Sequence, residues 1–175
     1  DASAGAVKGI LFSNIKEVRI TDISHEIAPF DIGQGAYVLE SAYRNFPQGT
    51  VHLVLIDIFY GPAPKLVLAG IEGHYFLAPD NGFLPMALGN QPANAWLCME
   101  LTRDQSFDDW IQAATRVILS LANNIPPQLN AHTLNVSVPV TLQMPAQNEV
   151  TCTVRYIDNF GNVVTDMTQE HFSDR

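Results

Sequence analysis

The sequence predicts an α/β fold: a parallel sheet with flanking helices over residues 1–135, followed by the start of a smaller antiparallel β region over residues 136–175. Three stretches predict it. Val51-His52-Leu53-Val54-Leu55-Ile56 is a short, nearly unbroken apolar run rich in branched side chains, the pattern of a strand buried on both faces. Ser106 opens the clearest helix, in which Phe107, Trp110, Ile111, Ala114, Val117, Ile118 and Leu121 recur at helical spacing and form a core stripe. Towards the end the period changes to two: Leu134–Met144 and Glu149–Ile157 alternate, with no helix between them and Pro145-Ala146-Gln147-Asn148 turning the chain.

In chain order, Ala2 to Ile15 reads as a helix whose small residues Ala4, Gly5, Ala6 and Gly9 allow close packing on a sheet. Glu17 to Ile23 alternates and reads as a strand, and Ser24 to Phe30 as a loop. Asp31 with Gln34 has the form of an N-cap and its capping-box partner. The helix they open runs to about Arg44 on the stripe Ile32, Ala36, Val38, Leu39, Ala42. Pro47-Gln48-Gly49 turns the chain into the Val51 strand, because proline presets φ and glycine accepts φ > 0. Strand, helix, strand with short loops implies a parallel right-handed crossover. Lys65–Ala69 and His74–Ala78 read as a hairpin joined by Gly70-Ile71-Glu72-Gly73. Pro79-Asp80-Asn81-Gly82 is a break, Phe83–Leu88 a short helix and Ala95–Leu101 a strand. Ser106 caps the long helix with Asp109 at the capping-box position, and Asn123-Asn124-Ile125-Pro126-Pro127 ends it.

Composition excludes several function classes. The formal net charge of −9 comes without a Lys/Arg cluster, which argues against nucleic acid and anionic membrane as partners and is compatible with a cationic or zwitterionic small ligand. No run of about 18 or more apolar residues marks a membrane span, and no leader is visible at the start. Cys98 and Cys152 each lie in an apolar run without metal spacing, as buried free thiols of a reducing compartment do, so a cytoplasmic protein is expected. The chain lacks a P-loop, G-x-G-x-x-G after a strand, G-x-S-x-G and H-E-x-x-H, and its five histidines are scattered, so no metal site is expected.

The first candidate for chemistry is Asp57, a carboxylate just past the Val51–Ile56 run, because ligands bind at the carboxyl ends of strands in open α/β sheets. His52 and His74, within or beside strands, read as structural; His25, in a loop, is a fairer functional candidate. Asp80-Asn81-Gly82 and Asp158-Asn159-Phe160-Gly161-Asn162 are both explained by turn chemistry alone.

Taken in order, Gly5-Ala6-Val7-Lys8-Gly9, Asp22-Ile23-Ser24-His25-Glu26-Ile27, Ala78-Pro79-Asp80-Asn81-Gly82 and Tyr156-Ile157-Asp158-Asn159-Phe160-Gly161-Asn162-Val163-Val164-Thr165 resemble the S-adenosylmethionine (SAM) hydroxide adenosyltransferase family, which also contains fluorinases and chlorinases. The run Phe46-Pro47-x-Gly49-Thr50-Val51-His52 fits as well, and the resemblance covers essentially the whole chain. It implies an α/β N-terminal domain, a small β-barrel C-terminal domain and a homotrimer with active sites between protomers. The implied reaction is displacement at the 5′ carbon of SAM by water or halide, with release of methionine and without metal or cofactor.

Carried over by residue, the resemblance places Asp1 and Ser3 near the methionine moiety and Phe30 against the ligand. Asp57 takes the acidic position of the hydrolases' Asp-Arg-His set. Asp158 is placed on the methionine amino group, and Phe160 and Asn162 on the adenine. The chain departs from the family where Ile56-Asp57-Ile58-Phe59-Tyr60-Gly61 replaces Val-Asp-Pro-Gly-Val-Gly. It departs again at Pro64, which stands in the arginine position with Lys65 beside it, and at Ser106 to Asp108, where the family's histidine is absent. The family's first strand would precede Asp1 and most of its barrel would follow Arg175, so a fragment is expected. The expectation is a SAM hydrolase in which Asp57, helped by Lys65, polarises the water. Two alternatives stay open: a module that binds SAM or adenosine without turnover, and a trimeric interaction protein with a vestigial pocket.

Overall fold

The structure, a computed structural model, describes residues 2–89, 94–102, 104–136, 152–157 and 162–167. The chain divides into two compact units, Asp1–Val136 and Ser137–Arg175.

The first unit is built on a five-stranded sheet in the order β1-β3-β2-β4-β5, from β1 (Val51–Leu53), β2 (Lys65–Ile71), β3 (His74–Pro79), β4 (Asn94–Glu100) and β5 (Asn130–Ala131). The sheet is mixed, which corrects the expected parallel sheet: β1·β3 is its parallel pair, while β2·β3, β2·β4 and β4·β5 are antiparallel. The cause is local. Glu72 and Gly73 both have positive φ, 51° and 80°, and a two-residue turn of that kind folds β2 directly back on β3. The hairpin loop is thus two residues long, not four, and Gly70 and Ile71 belong to the strand.

Four helices cover the sheet: α1 (Ala2–Asn14), α2 (Ile32–Ala42, continued by a 3-10 turn over Tyr43–Asn45), α3 (Phe83–Leu88) and α4 (Phe107–Ala122). Strand alternation divides the core in two. Leu66, Leu68 and Leu77 pack with Val7 and Leu11 of α1, with Ile15 just after it, and with Trp110, Ile111, Ala114 and Val117 of α4. Val67, Ala69, Phe76 and Ala78 point the other way and pack with Ala36 and Leu39 of α2, Tyr43, and Phe83, Leu84 and Leu88 of α3. The result is a helix–sheet–helix sandwich. The Ser106 capping box forms as expected, with Asp109 accepting from the Ser106 backbone N–H at 2.8 Å. At α2, Asp31 Oδ1 accepts from Gln34 N at 2.8 Å, but Gln34 Oε1 reaches past the cap to the Ala28 N–H at 2.6 Å.

Other elements differ from expectation. On α1 the small residues Gly5, Ala6 and Gly9 face solvent while Val7 and Leu11 are buried, so burial follows side-chain size. Glu17–Ile23 forms no strand. Val18 and Ile20 still turn towards the core between exposed neighbours, but no ladder partner lies beside them among the described residues, and the strand–helix–strand crossover does not form. β1 is an edge strand of three residues, shorter than the Val51–Ile56 run and not central. In the second unit, β6 (Val154–Ile157) and β7 (Val163–Thr165) form a two-stranded antiparallel sheet. The alternating stretch from 137 to 151 lies outside the described residues.

Candidate functional site

The candidate site is at the carboxyl ends of the parallel pair β1 and β3, where open α/β sheets bind ligands. The β1 ladder continues one residue past the strand, with Val54 N donating to Leu77 O at 2.9 Å. Then the chain breaks. Leu53 and Leu55 pack under α1 and α4, and Val54 and Ile56 under α2 and α3, as strand alternation requires. Ile58 would next fall on the face of Ile56, yet it packs in the opposite core and is 8% exposed. The change of face is made at Asp57, whose φ is 49°. Aspartate is one of the few side chains that visit this left-handed region readily. Asp57 is thus half-buried at the sheet end, between two anchored isoleucines.

Asn81, just after β3, spans the gap between the two strand ends. Its Nδ2 donates to the carbonyls of Ile56 at 3.1 Å and Asp57 at 3.3 Å, and its Oδ1 accepts from Phe83 N at 3.1 Å. The preceding Asp80 is 3% exposed. Its carboxylate accepts from Asn135 N at 2.8 Å and pairs with His132 Nε2 at 2.7 Å; its carbonyl accepts from Asn135 Nδ2 at 2.8 Å, and its N–H donates to Lys65 O at 3.0 Å. A buried carboxylate with this many donors is a satisfied one. Turn chemistry accounts for Gly82, with φ of 90°, but not for these long-range bonds. Asp80 and Asn81, which the sequence explains as a turn, and His132 and Asn135, which it does not single out, are the residues that it leaves out of the site. The partners of the Asp80 carboxylate lie more than fifty positions away along the chain, which no local pattern shows.

The described residues among those expected at the site lie on several different elements. Lys65 opens β2 beside Asp80, with its N–H donating to Tyr60 Oη at 3.0 Å, but its ammonium lies 3.7 Å from Glu100 Oε2 on β4. Burial pushes the Tyr60 phenol up from its ordinary pKa, partly offset by that N–H. Phe30 has φ of 66° and is 75% exposed in the loop before α2, and Phe59, in the Asp57 loop, is 54% exposed. Ser3 is exposed in the first turn of α1, and Asn162 precedes β7 in the second unit. Asp1, Asp158 and Phe160 lie outside the described residues. His25 pairs with Asp22 at 3.1 Å on the surface, and Asp22 is also bound by Lys8 at 2.5 Å, which holds its carboxyl below the ordinary range.

His52 and His74 are structural, as expected. His52 Nε2 lies 3.2 Å from His74 Nδ1, in a box completed by Tyr43, Phe46 and Phe76. Burial, with His74 adding to it, pushes the His52 imidazole down to about 4. Cys98 is half-buried on β4, where burial pushes its thiol up to about 12, an inert position.

These features define an α/β sandwich domain with a carboxylate held at the end of a parallel strand pair. The sequence profile of the SAM hydroxide adenosyltransferase N-terminal domain matches residues 1–137. The chain is 28% identical to an (R)-S-adenosyl-L-methionine hydrolase of Methanocaldococcus jannaschii over 97% of its own length and 62% of that protein. It is 29% identical to the hydrolase of that name from Salinispora tropica, over 93% and 66%. A fluorinase of Nocardia brasiliensis is 39% identical over 48% of this chain and 36% of its own. Among solved structures, an uncharacterised conserved protein of Thermotoga maritima superposes with a TM-score of 0.72 at 25% identity, covering 99% of this chain and 70% of that one. The chain belongs to the SAM hydroxide adenosyltransferase family. It spans 62% and 66% of the length of the two hydrolases.

Proposed function

We propose that the complete protein hydrolyses SAM to adenosine and methionine. One observation carries the reading: similarity to proteins named SAM hydrolase runs along 93–97% of the chain, whereas similarity to fluorinases covers 48–50%. Water is therefore the favoured nucleophile over halide. Its oxygen bonds to the 5′ carbon as the bond from that carbon to the sulfonium breaks. The electron pair leaves on sulfur as the neutral thioether of methionine, and the water proton is released. The sulfonium is already a good leaving group, so the protein's task is alignment and desolvation of the water.

In this reading Asp57 orients the water and takes its proton. Among the described residues its carboxylate makes no ion pair, and its backbone is held by Asn81. Ser3 and Phe30, with Asp1, Asp158, Phe160 and Asn162, are proposed to bind the substrate on the strength of the family match. The proposal extends to a homotrimer with shared sites, a barrel completed from the second unit, and a cytoplasmic location; no metal or cofactor is invoked. A second reading, binding without turnover, is favoured by one feature: Lys65 is paired with Glu100 and is not the cation beside Asp57.

Chromatography of the full-length protein incubated with SAM separates the two. Adenosine above the protein-free control supports hydrolysis. Calorimetric binding of SAM with no adenosine released rejects it in favour of the binding module.

A further inference from the structure

We propose that Asn81 is a positioning residue for Asp57, acting through the backbone. The proposal rests on the hydrolase reading for its effect on turnover, because only a reaction at Asp57 makes the placement of that carboxylate matter. The β1 ladder ends with the Val54–Leu77 bond, and two of the carbonyls beyond it, of Ile56 and Asp57, are bound by the Asn81 amide at 3.1 and 3.3 Å. One side chain thus replaces the ladder at the point where the chain leaves it and changes face. The left-handed turn at Asp57 is held from outside, by a residue that follows the neighbouring strand. Asn81 is itself fixed, because Asp80 is bound by His132, by Asn135 and by the backbone of Lys65.

The competing explanation is that Asn81 only caps the turn into α3. That role needs Oδ1 alone, which accepts from Phe83 N, and leaves the two bonds made by Nδ2 unexplained. The two halves of the amide can be separated. Asn81→Asp keeps the shape and the Oδ1 acceptor but loses the donor; Asn81→Ser stays neutral, still caps a turn, and is too short to reach the carbonyls.

The test uses the full-length protein and two readouts. Amide hydrogen exchange at the two hydrogen-bonded ends of the loop, Val54 (bonded to Leu77 O) and Lys65 (bonded to Tyr60 Oη), should quicken by about tenfold or more in both variants, while the rest of the β2–β3 hairpin keeps its protection. Unchanged exchange in that loop overturns the proposal whatever the protein catalyses. Turnover is then measured in a double-mutant cycle. Asn81→Ser should lower kcat for SAM hydrolysis by about tenfold with KM within about threefold, yet cost less than about twofold further in an Asp57→Asn background. An equal loss in both backgrounds means that Asn81 acts on the substrate or the fold directly, and overturns the proposal. A parent protein that releases no adenosine overturns the hydrolase reading and the turnover role together, while the exchange measurement still decides whether Asn81 holds the loop.

Discussion

Asp57 must meet two demands at once: a left-handed backbone and, in the proposed reaction, a carboxylate. Asparagine meets the first as well as aspartate does and fails the second. Asp57→Asn should therefore lower adenosine release by about a hundredfold or more, the scale of lost general-base help, with a urea midpoint like the parent's. Asp57→Ala should lose the same activity and about 1 kcal/mol of stability besides. If Asp57→Asn releases adenosine at the parent rate, Asp57 is only a turn residue.

The buried histidine pair makes a separate prediction. His52 titrates near 4 when folded and near 6.5 when unfolded, so the unfolded chain takes up the proton first as pH falls. This contribution to stability is complete above about pH 6.5, is lost as pH falls towards 4, and levels off below. Tyr43, Phe46, Phe76 and, through Tyr43, Glu72 and Arg44 surround the pair. Between pH 6.5 and 4.5 the parent should lose about 1–2 kcal/mol more than His52→Gln. Parallel stability curves for the two proteins would show that His52 carries no proton-linked stability. At this scale the place of Asp57 just past a strand and the Ser106–Asp109 box were legible in the sequence, because a strand end and a cap are local signals. Asp80 was not, because a carboxylate in a turn and a buried carboxylate with distant partners look alike in the chain.

Among the elements, α2 approaches the site most tightly at Gly35. A Cβ there would collide with Ile56 and Phe83, the residues that flank Asp57 and open α3. Gly35→Ala should therefore cost about 1–3 kcal/mol in urea denaturation, although alanine is the better helix former. A gain in stability would mean that α2 has room to move. Helix spans were read closely because their stripes and caps are written in adjacent residues. Strands were read less well. The apolar run to Ile56 has the composition of a strand throughout, but side-chain type cannot show that Ile56 and Ile58 go to opposite cores. Glu17–Ile23 keeps the burial pattern of a strand without a ladder, since pairing is decided by what lies alongside.

For the whole molecule, fold class and the β2–β3 hairpin were legible but a mixed sheet was not, because the parallel crossover expected of Glu17–Ile23 needs a ladder that this segment does not make. In the second unit Val154, Ile157 and Val163 are 52–59% exposed on the two-stranded sheet β6–β7. A sheet of that size with apolar side chains in water is marginal alone. Light scattering of the full-length protein should give three times the protomer mass at micromolar concentration, and a monomer would remove the shared-site proposal.

The β2–β3 hairpin, whose alternate residues line both cores, also bears on the order in which the chain folds. Its pairing starts at Ile71 beside His74 and closes without a long loop, whereas joining Val51 to Tyr75 must first order everything between them. The hairpin is therefore the natural nucleus, and both cores condense on it from opposite sides. Truncating Leu68 or Leu77 to alanine should slow folding nearly as much as it destabilises the protein, with φ-values above about 0.5. Truncating Ile58, docked late, should mainly speed unfolding. The reverse pattern in stopped-flow refolding would show that the parallel pair forms first.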